Sequence, residues 1–282
     1  MTTEAPVQSG TGDRRAARDK ARKARARRGQ AIAVLSSVLV LGGLAAVILT
    51  SSGWPDVREM FFSAESFRDS FPDILKAFWI DIKLFMVVEA IVLVLGLLIA
   101  VVRTSKASAL FPIRMLAAVY CDFFRGIPVI LLVYLVGFGI PALGLAGVPT
   151  DPLILAGIAL SLAYSSYVAE VYRAGIASIH PSQNDAGLAT GLTRIQTLRF
   201  VIVPQAVRRV RPPLLNDFIS LQKDVALVSV LGIAEAFRTA QIITLSTFNY
   251  TPLLAAALLY LAVTFPMARI LDHITAREQI NS

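Results

Sequence analysis

From Ala31 to Thr50 the chain runs for twenty residues without a charged side chain. That is the length an α-helix needs to cross a hydrocarbon layer about 30 Å thick. A signal peptide would carry a shorter apolar stretch of about 7–15 residues ending in a small-residue cleavage site. Here the run is longer and passes into Gly53-Trp54-Pro55, which predicts a retained anchor with Trp54 at the interface. Five more apolar segments follow, at Leu84–Val102, Met115–Ile140, Pro152–Ala169, Pro212–Ala234 and Pro252–Ala268. Composition agrees with a membrane protein: 56% of residues are hydrophobic and 16% charged, against roughly 25% charged in soluble domains. The expected fold class is therefore all-α, a polytopic membrane protein of about six transmembrane helices. The single Cys121 excludes an internal disulfide, and His180 and His273 offer no metal-ligand spacing, so no metal site is expected.

Orientation follows from the excess of Lys and Arg on the cytoplasmic side. With the N-terminus inside, 20 of the 27 basic residues fall on that side and five outside, while Arg125 and Lys223 lie within spans. Both termini are thus expected in the cytoplasm. Nine of the basic residues crowd between Arg14 and Arg28. This tail fits anionic lipid, at about 1 kcal/mol per basic residue near the surface. It does not fit nucleic acid, since no aromatic is interleaved to stack bases. The expected organisation is a mobile basic tail over 1–30, a first transmembrane helix over 31–50, an extracellular connection over 51–77, a core over 78–270 and a cytoplasmic tail over 271–282.

Between the fourth and fifth spans, residues 170–211 form a cytoplasmic loop too long for a simple connection and too well punctuated for disorder. Ser182 followed by Asp185 reads as an N-cap with an acid at the third helical position. Gly191 can stop that helix, and Thr193-Arg194-Ile195-Gln196 reads as the capping box of a second, ending before Pro204. The expected product is helix, glycine elbow, helix, a shape suited to docking in a partner's groove.

These residues resemble a known family. Asp185-Ala186-Gly187, three residues, Gly191, nine residues and Val201-Ile202-Val203-Pro204 match the spacing of the EAA loop, Glu-Ala-Ala-x3-Gly-x9-Ile-x-Leu-Pro, in permease subunits of ABC-type importers. Phe124-Arg125-Gly126-Ile127-Pro128, Ala169-Glu170-Val171-Tyr172-Arg173, Pro204-Gln205-Ala206 and Leu221-Gln222-Lys223-Asp224 resemble motifs of the polar amino-acid branch, the histidine, glutamine, glutamate and arginine type. The resemblance covers about Phe78 to Arg269. Three departures stand out: Gly187 for Ala, which loosens a helix by about 0.5–1 kcal/mol; His180-Pro181-Ser182 ahead of the loop helix; and Val225-Ala226 for Thr-Ser, which removes two hydroxyls beside the membrane lysine.

Ionisable residues within spans cost roughly 2.5–3.5 kcal/mol on insertion scales, so they should face protein or a water-filled path. Lys223 shares a helix face with Asn216 and Ser220, and Asp224 aligns with Ser220 and Asp217. Arg125, Asn216, Ser220, Lys223 and Asp224 are therefore candidates for a substrate path, with Arg125 or Lys223 on a substrate carboxylate. The alternative for these charges is interhelical pairing, with Arg125 satisfying Asp122. Glu170 and Arg173, three apart, are a candidate structural pair.

The resemblance implies a bacterial plasma-membrane permease that forms the path and performs no chemistry. ATPase coupling would pass through Ser182, Asp185, Ala186, Gly187, Gly191 and Pro204. No cofactor is expected in this chain, where nothing matches Gly-x4-Gly-Lys-Ser/Thr; ATP and Mg would be bound by two copies of an ATP-binding subunit. A second permease chain, identical or related, and an extracellular substrate-binding protein complete the implied partners. The rival readings are an ion-gradient-driven transporter, which often shows repeated halves, a membrane enzyme and a non-transporting scaffold.

Overall fold

A computed structural model describes residues 10–105 and 107–280, with side chains over 28–30, 32–105, 107–193 and 195–276. Among the described residues every regular element is helical. The chain divides into two compact units, residues 1–59 and 60–282.

In the first unit, helix α1 (Gly10–Leu49) joins much of the basic segment to the first apolar run without a break. Ala, Arg and Lys on either side are strong helix formers, and the helix runs through the single poor former at the junction, Gly29. The first nine residues of the expected tail lie outside the described residues. After a turn in which the Trp54 N–H donates to the Ser51 carbonyl (3.1 Å), α2 (Trp54–Phe61) begins.

The second unit opens with α3 (Ala64–Thr104), capped by Ser63, whose hydroxyl accepts from the Ser66 N–H (3.2 Å). At 41 residues it is about 60 Å long, and it begins twenty positions before the span expected at Leu84. Much of the expected connection over 51–77 is therefore helical. The apolar run hid this because Arg68, Asp69, Asp73 and Lys76 interrupt it. Phe67, Phe71, Ile74 and Phe78 nevertheless keep one face, which packs with Ala236, Ala240, Ala255 and Ala256 in a small core.

The segment expected as one span, Met115–Ile140, is a broken pair. Helix α4 (Phe111–Gly126) is followed by α5 (Val129–Tyr134), a wider turn at Leu135–Gly139 and the short α6 (Ile140–Ala142). The two arms meet at 104°. Pro128 causes the break: it lacks an N–H and forces Ile127 into extended geometry (φ −103°, ψ 133°).

Helix α7 (Pro152–Ala177) is the centre of the fold. Asp151 caps it, accepting from the Leu153 and Ile154 N–H groups at 2.9 and 3.0 Å. Leu155, Leu160 and Ala163 are fully buried with Val88 and Val92 of α3 and with Leu221 and Val225. The helix runs eight residues past the expected Ala169. Glu170 and Arg173 are thus helical rather than part of a loop.

Two short helices, α8 (Pro181–Ala189) and α9 (Arg194–Thr197), lead through a wider turn at Leu198–Ile202 into α10 (Val203–Asp224). The expected span Pro212–Ala234 begins earlier than predicted, since α10 continues through Pro212 and Pro213. It tightens into a 3-10 segment at Val225–Leu231, and Gly232 (φ +84°) turns the chain. Buried Glu235 then caps α11 (Ala236–Thr247), accepting from the Phe237 and Arg238 N–H groups, both at 2.7 Å. The bend between the two is 53°. Asp81 of α3 and Tyr260 of α12 (Thr251–Ile280) pin this corner: Asp81 accepts from the Ala236 N–H (3.2 Å) and from the Tyr260 hydroxyl (3.1 Å). Four helices among the described residues are long and apolar enough to cross a membrane, and six spans result if each bent pair counts as one.

Candidate functional site

The loop helix α8 starts two residues earlier than the sequence suggested. Its cap is His180, whose Nδ1 accepts from the Ser182 N–H (3.2 Å), and Pro181 occupies the first turn. Ser182 is therefore inside the helix and Asp185 is in its second turn. Proline pre-sets the first helical φ and holds the residue before it extended, which moves the cap to His180. At the other end Gly191 (φ +85°) closes the helix as expected. The Gly191 N–H donates to Leu188 (3.0 Å) and the Leu192 N–H to Gly187 (3.2 Å), the paired bonds of a Schellman stop. The capping box has both reciprocal bonds, Thr193 N–H to Gln196 Oε1 (2.8 Å) and Gln196 N–H to Thr193 Oγ1 (3.3 Å).

The elbow is closed by a contact the sequence did not reveal. Gly187 is buried, and a β-carbon there would collide with the side chain of fully buried Thr197. Glycine at this position permits a close approach rather than merely loosening α8. Ser182, Asp185 and Ala186 stay exposed, as do the apolar side chains of Ile195 (78%) and Phe200 (62%) on the segments that follow. The second helix does not end before Pro204. The wide turn at Leu198–Ile202 carries the chain onward, and Pro204 sits in the first turn of α10, where its missing N–H disturbs the ladder least. Two contacts tie this loop to the long helices. Gln205 Nε2 donates to Gln183 Oε1 (3.1 Å), and Arg209 donates to the Ser178 carbonyl at the end of α7 (2.5 Å).

Glu170 lies at the centre of a cationic cluster. Arg173 donates to it, through Nε at 3.0 Å, and Arg103 of α3 donates at 2.7 Å. Arg125 approaches the same carboxylate at 3.9 Å and lies over the Tyr167 ring (5.8 Å), so it does not serve Asp122. The pair expected from spacing, Glu170 with Arg173, thus has a further partner in Arg103, which lies 67 positions away in the chain.

The polar stripe of α10 divides between two faces. Lys223 and Asn216 are exposed and Ser220 is half-buried. Asp224 turns inward and accepts from the Tyr164 hydroxyl of α7 (2.7 Å). Val225 is fully buried in the main core, so its replacement of a family threonine alters packing rather than a substrate-side surface. Between α7 and α10 lies a cleft of about 470 Å³ that Arg125, Tyr167, Glu170, Arg209 and Asp217 help to line. No group of three or more potential metal ligands occurs among the described residues.

A broken helical core, a helix–glycine–helix loop tied to its long helices and a charged cleft define a multi-pass transport subunit. Residues 92–279 match the family described as the binding-protein-dependent transport system inner membrane component, and the chain belongs to it. It is thus a permease of an ATP-driven import system in the bacterial plasma membrane, not an ion-gradient transporter or a scaffold. The chain is 35% identical over 190 residues to the arginine transport system permease protein ArtQ of Bacillus subtilis (strain 168), covering 67% of this chain and 84% of that protein. It is 34% identical over 189 residues to the glutamine transport system permease protein GlnP of Escherichia coli (strain K12), with the same two coverages, 67% and 84%. Among solved structures, an amino acid ABC transporter crystallised with histidines superposes with a TM-score of 0.68 at 32% identity, covering 77% of this chain and all of that one. An inward-facing MetNI methionine transporter shares the fold at 20% identity, with a TM-score of 0.56 over 72% of this chain and 95% of that one.

Proposed function

We propose that this permease carries polar amino acids and is driven through α8 by a separate ATP-binding subunit. The observation that carries this reading is the clamped elbow. Gly187 against Thr197 holds α8 at a fixed angle with Asp185 outward, while Gln205 and Arg209 link the loop to α10 and α7. A push on α8 would move these two helices with it, and closure of the ATPase would shift the population between inward and outward states. Ser182, Asp185 and Ala186 form the docking face, while Gly187, Gly191 and Pro204 set its shape.

Two permease chains, identical or related, would assemble with two ATP-binding subunits, which hold ATP and Mg, and an extracellular protein would deliver substrate. The exposed α10 face with Asn216 and Lys223 would line the path, both termini would be cytoplasmic, and the basic tail would rest on anionic lipid.

The test is affinity purification of the tagged chain from native membranes in mild detergent, beside Asp185→Arg. A separate ATPase should accompany the wild type and be lost from the folded variant. Absence of any ATPase from the wild type, under conditions that preserve a known importer, would refute the coupling reading.

A further inference from the structure

A groove of about 460 Å³ runs between α3 and α7, from Lys83 and Leu153 at one end to Leu95 and Ser165 at the other. Its volume falls in the range of roughly 300–1,000 Å³ usual for small-molecule sites. The depth comes from α7, where Gly157, Ser161 and Ser165 recur every four residues along one helical face. Side chains this small leave open the space that larger ones would fill. Apart from these serines the lining is apolar, and Lys83 is the only charged residue in it.

Lys83 marks a boundary of the hydrocarbon layer. Apart from buried Glu89, no charged residue lies between it and Arg103, twenty positions on. Along a helix that separation is about 30 Å, the thickness of the layer itself. The boundary is the one remote from α8, because Arg103 pairs with Glu170 near the end of α7 that leads into the loop. The Lys83 ammonium lies over the ring of Trp79 (5.9 Å), which is 59% exposed one turn earlier. A Trp beside a Lys is typical of the membrane–water interface. No ion pair among the described residues includes Lys83. From Lys83 to Leu95 α3 rises about 18 Å, so the groove descends from this interface through a little more than one leaflet.

We propose that the groove is a binding site for an anionic phospholipid of the leaflet away from α8, with one acyl chain between α3 and α7 and the phosphate on Lys83. The length of the groove matches a chain that ends near the bilayer midplane, and the charge at its mouth complements the headgroup. An unfilled groove would forfeit the dispersion contacts of its lining, and a flexible acyl chain restores them without any polar group to satisfy. Trp79 holds the ammonium at headgroup level. The lipid would thus act as a filler between the two helices that pack most extensively in the fold. This goes beyond the import reading and does not depend on what is carried.

The test uses the tagged full chain, purified in mild detergent with whatever chains it retains and reconstituted into lipid discs. The discs contain phosphatidylglycerol with a photoactivatable diazirine in its acyl chain, and labelled peptides are identified by mass spectrometry. Labelling should concentrate on α3 between Leu84 and Leu95 and on α7 between Leu153 and Ser165, above the level on the exposed apolar side chains of α12, such as Leu261 and Phe265. Unlabelled phosphatidylglycerol should suppress groove labelling about fivefold more effectively than phosphatidylcholine, the effect of one basic residue on an anionic lipid. Lys83→Gln should remove that difference and Lys83→Arg should keep it. Gly157→Leu is the second variant. A β-carbon at Gly157 meets only ordinary contacts, the nearest being Leu84 Cδ1 at 3.5 Å, and leucine is the better helix former, so the variant keeps its fold while its side chain occupies the groove. Groove labelling should then be lost while labelling of α12 is unchanged. Wild-type labelling no stronger in the groove than on α12, as expected if a second copy or another protein segment fills it, would overturn the site. So would undiminished labelling in Gly157→Leu or equal competition by the two lipids.

Discussion

Thr197 fills the space that a β-carbon on Gly187 would occupy, and this contact sets the angle between α8 and α9. Thr197 is β-branched and fully buried, so it has little room to withdraw. Gly187→Ala would recreate the family's usual alanine, yet it should weaken the elbow. Overpacking costs about 1–3 kcal/mol, more than the roughly 0.5–1 kcal/mol gained in helix propensity. Hydrogen exchange at α8 amides should accelerate in Gly187→Ala and recover in Gly187→Ala/Thr197→Ala. Equal protection in the single variant and the wild type would show that the contact is not limiting.

The two caps of the loop make a separate prediction. His180→Ala and Thr193→Ala each remove a side-chain acceptor from a helix N-terminus and should cost about 0.5–2 kcal/mol of local stability. His180→Asn, which can still accept from the Ser182 N–H, should retain most of it. Exchange rates confined to α8 would distinguish loss of this cap from general destabilisation.

Glu170 is the only carboxylate serving Arg103, Arg173 and Arg125 among the described residues. Glu170→Gln should lower thermal stability in detergent by at least about 1.5–3 kcal/mol, the scale of a hydrogen bond to a charged group. Arg103→Met should cost less, since Arg173 remains on the carboxylate. The ordering is decisive: a larger loss in Arg103→Met would place the anchor elsewhere.

Adjacent residues of α10 should behave in opposite ways. Tyr164→Phe removes the hydroxyl that donates to Asp224 (2.7 Å) and should destabilise the α7–α10 packing by about 1–3 kcal/mol. Lys223→Met alters an exposed side chain, so melting should be nearly unchanged while transport falls. A stable Tyr164→Phe protein, or an unstable Lys223→Met one, would contradict this division of roles.

The elements readable from sequence were those written in neighbouring residues. Apolar runs marked the spans, Gly191 marked the stop of α8, and Thr193 with Gln196 marked the start of α9, because each signal acts within one helical turn. Local signals also misled where two competed: Ser182 looked like a cap, but Pro181 moved that role to His180. The early start of α3 was hidden by charges along its exposed side, although Phe67, Phe71, Ile74 and Phe78 kept the helical period.

Sequence alone thus determined that the chain is helical, lies in the membrane and presents a helix–glycine–helix loop, since hydrophobic length and caps are properties of consecutive residues. Tertiary structure decided how the charges are used. Arg103 meets Glu170 across 67 positions and Tyr164 meets Asp224 across 60, and both depend on how α3 and α10 pack on α7. The cleft that Arg125 and Asp217 both line exists for the same reason. A charge in a span is costly wherever it stands, but only the packing of the helices determines which charges find partners and which are left facing open space.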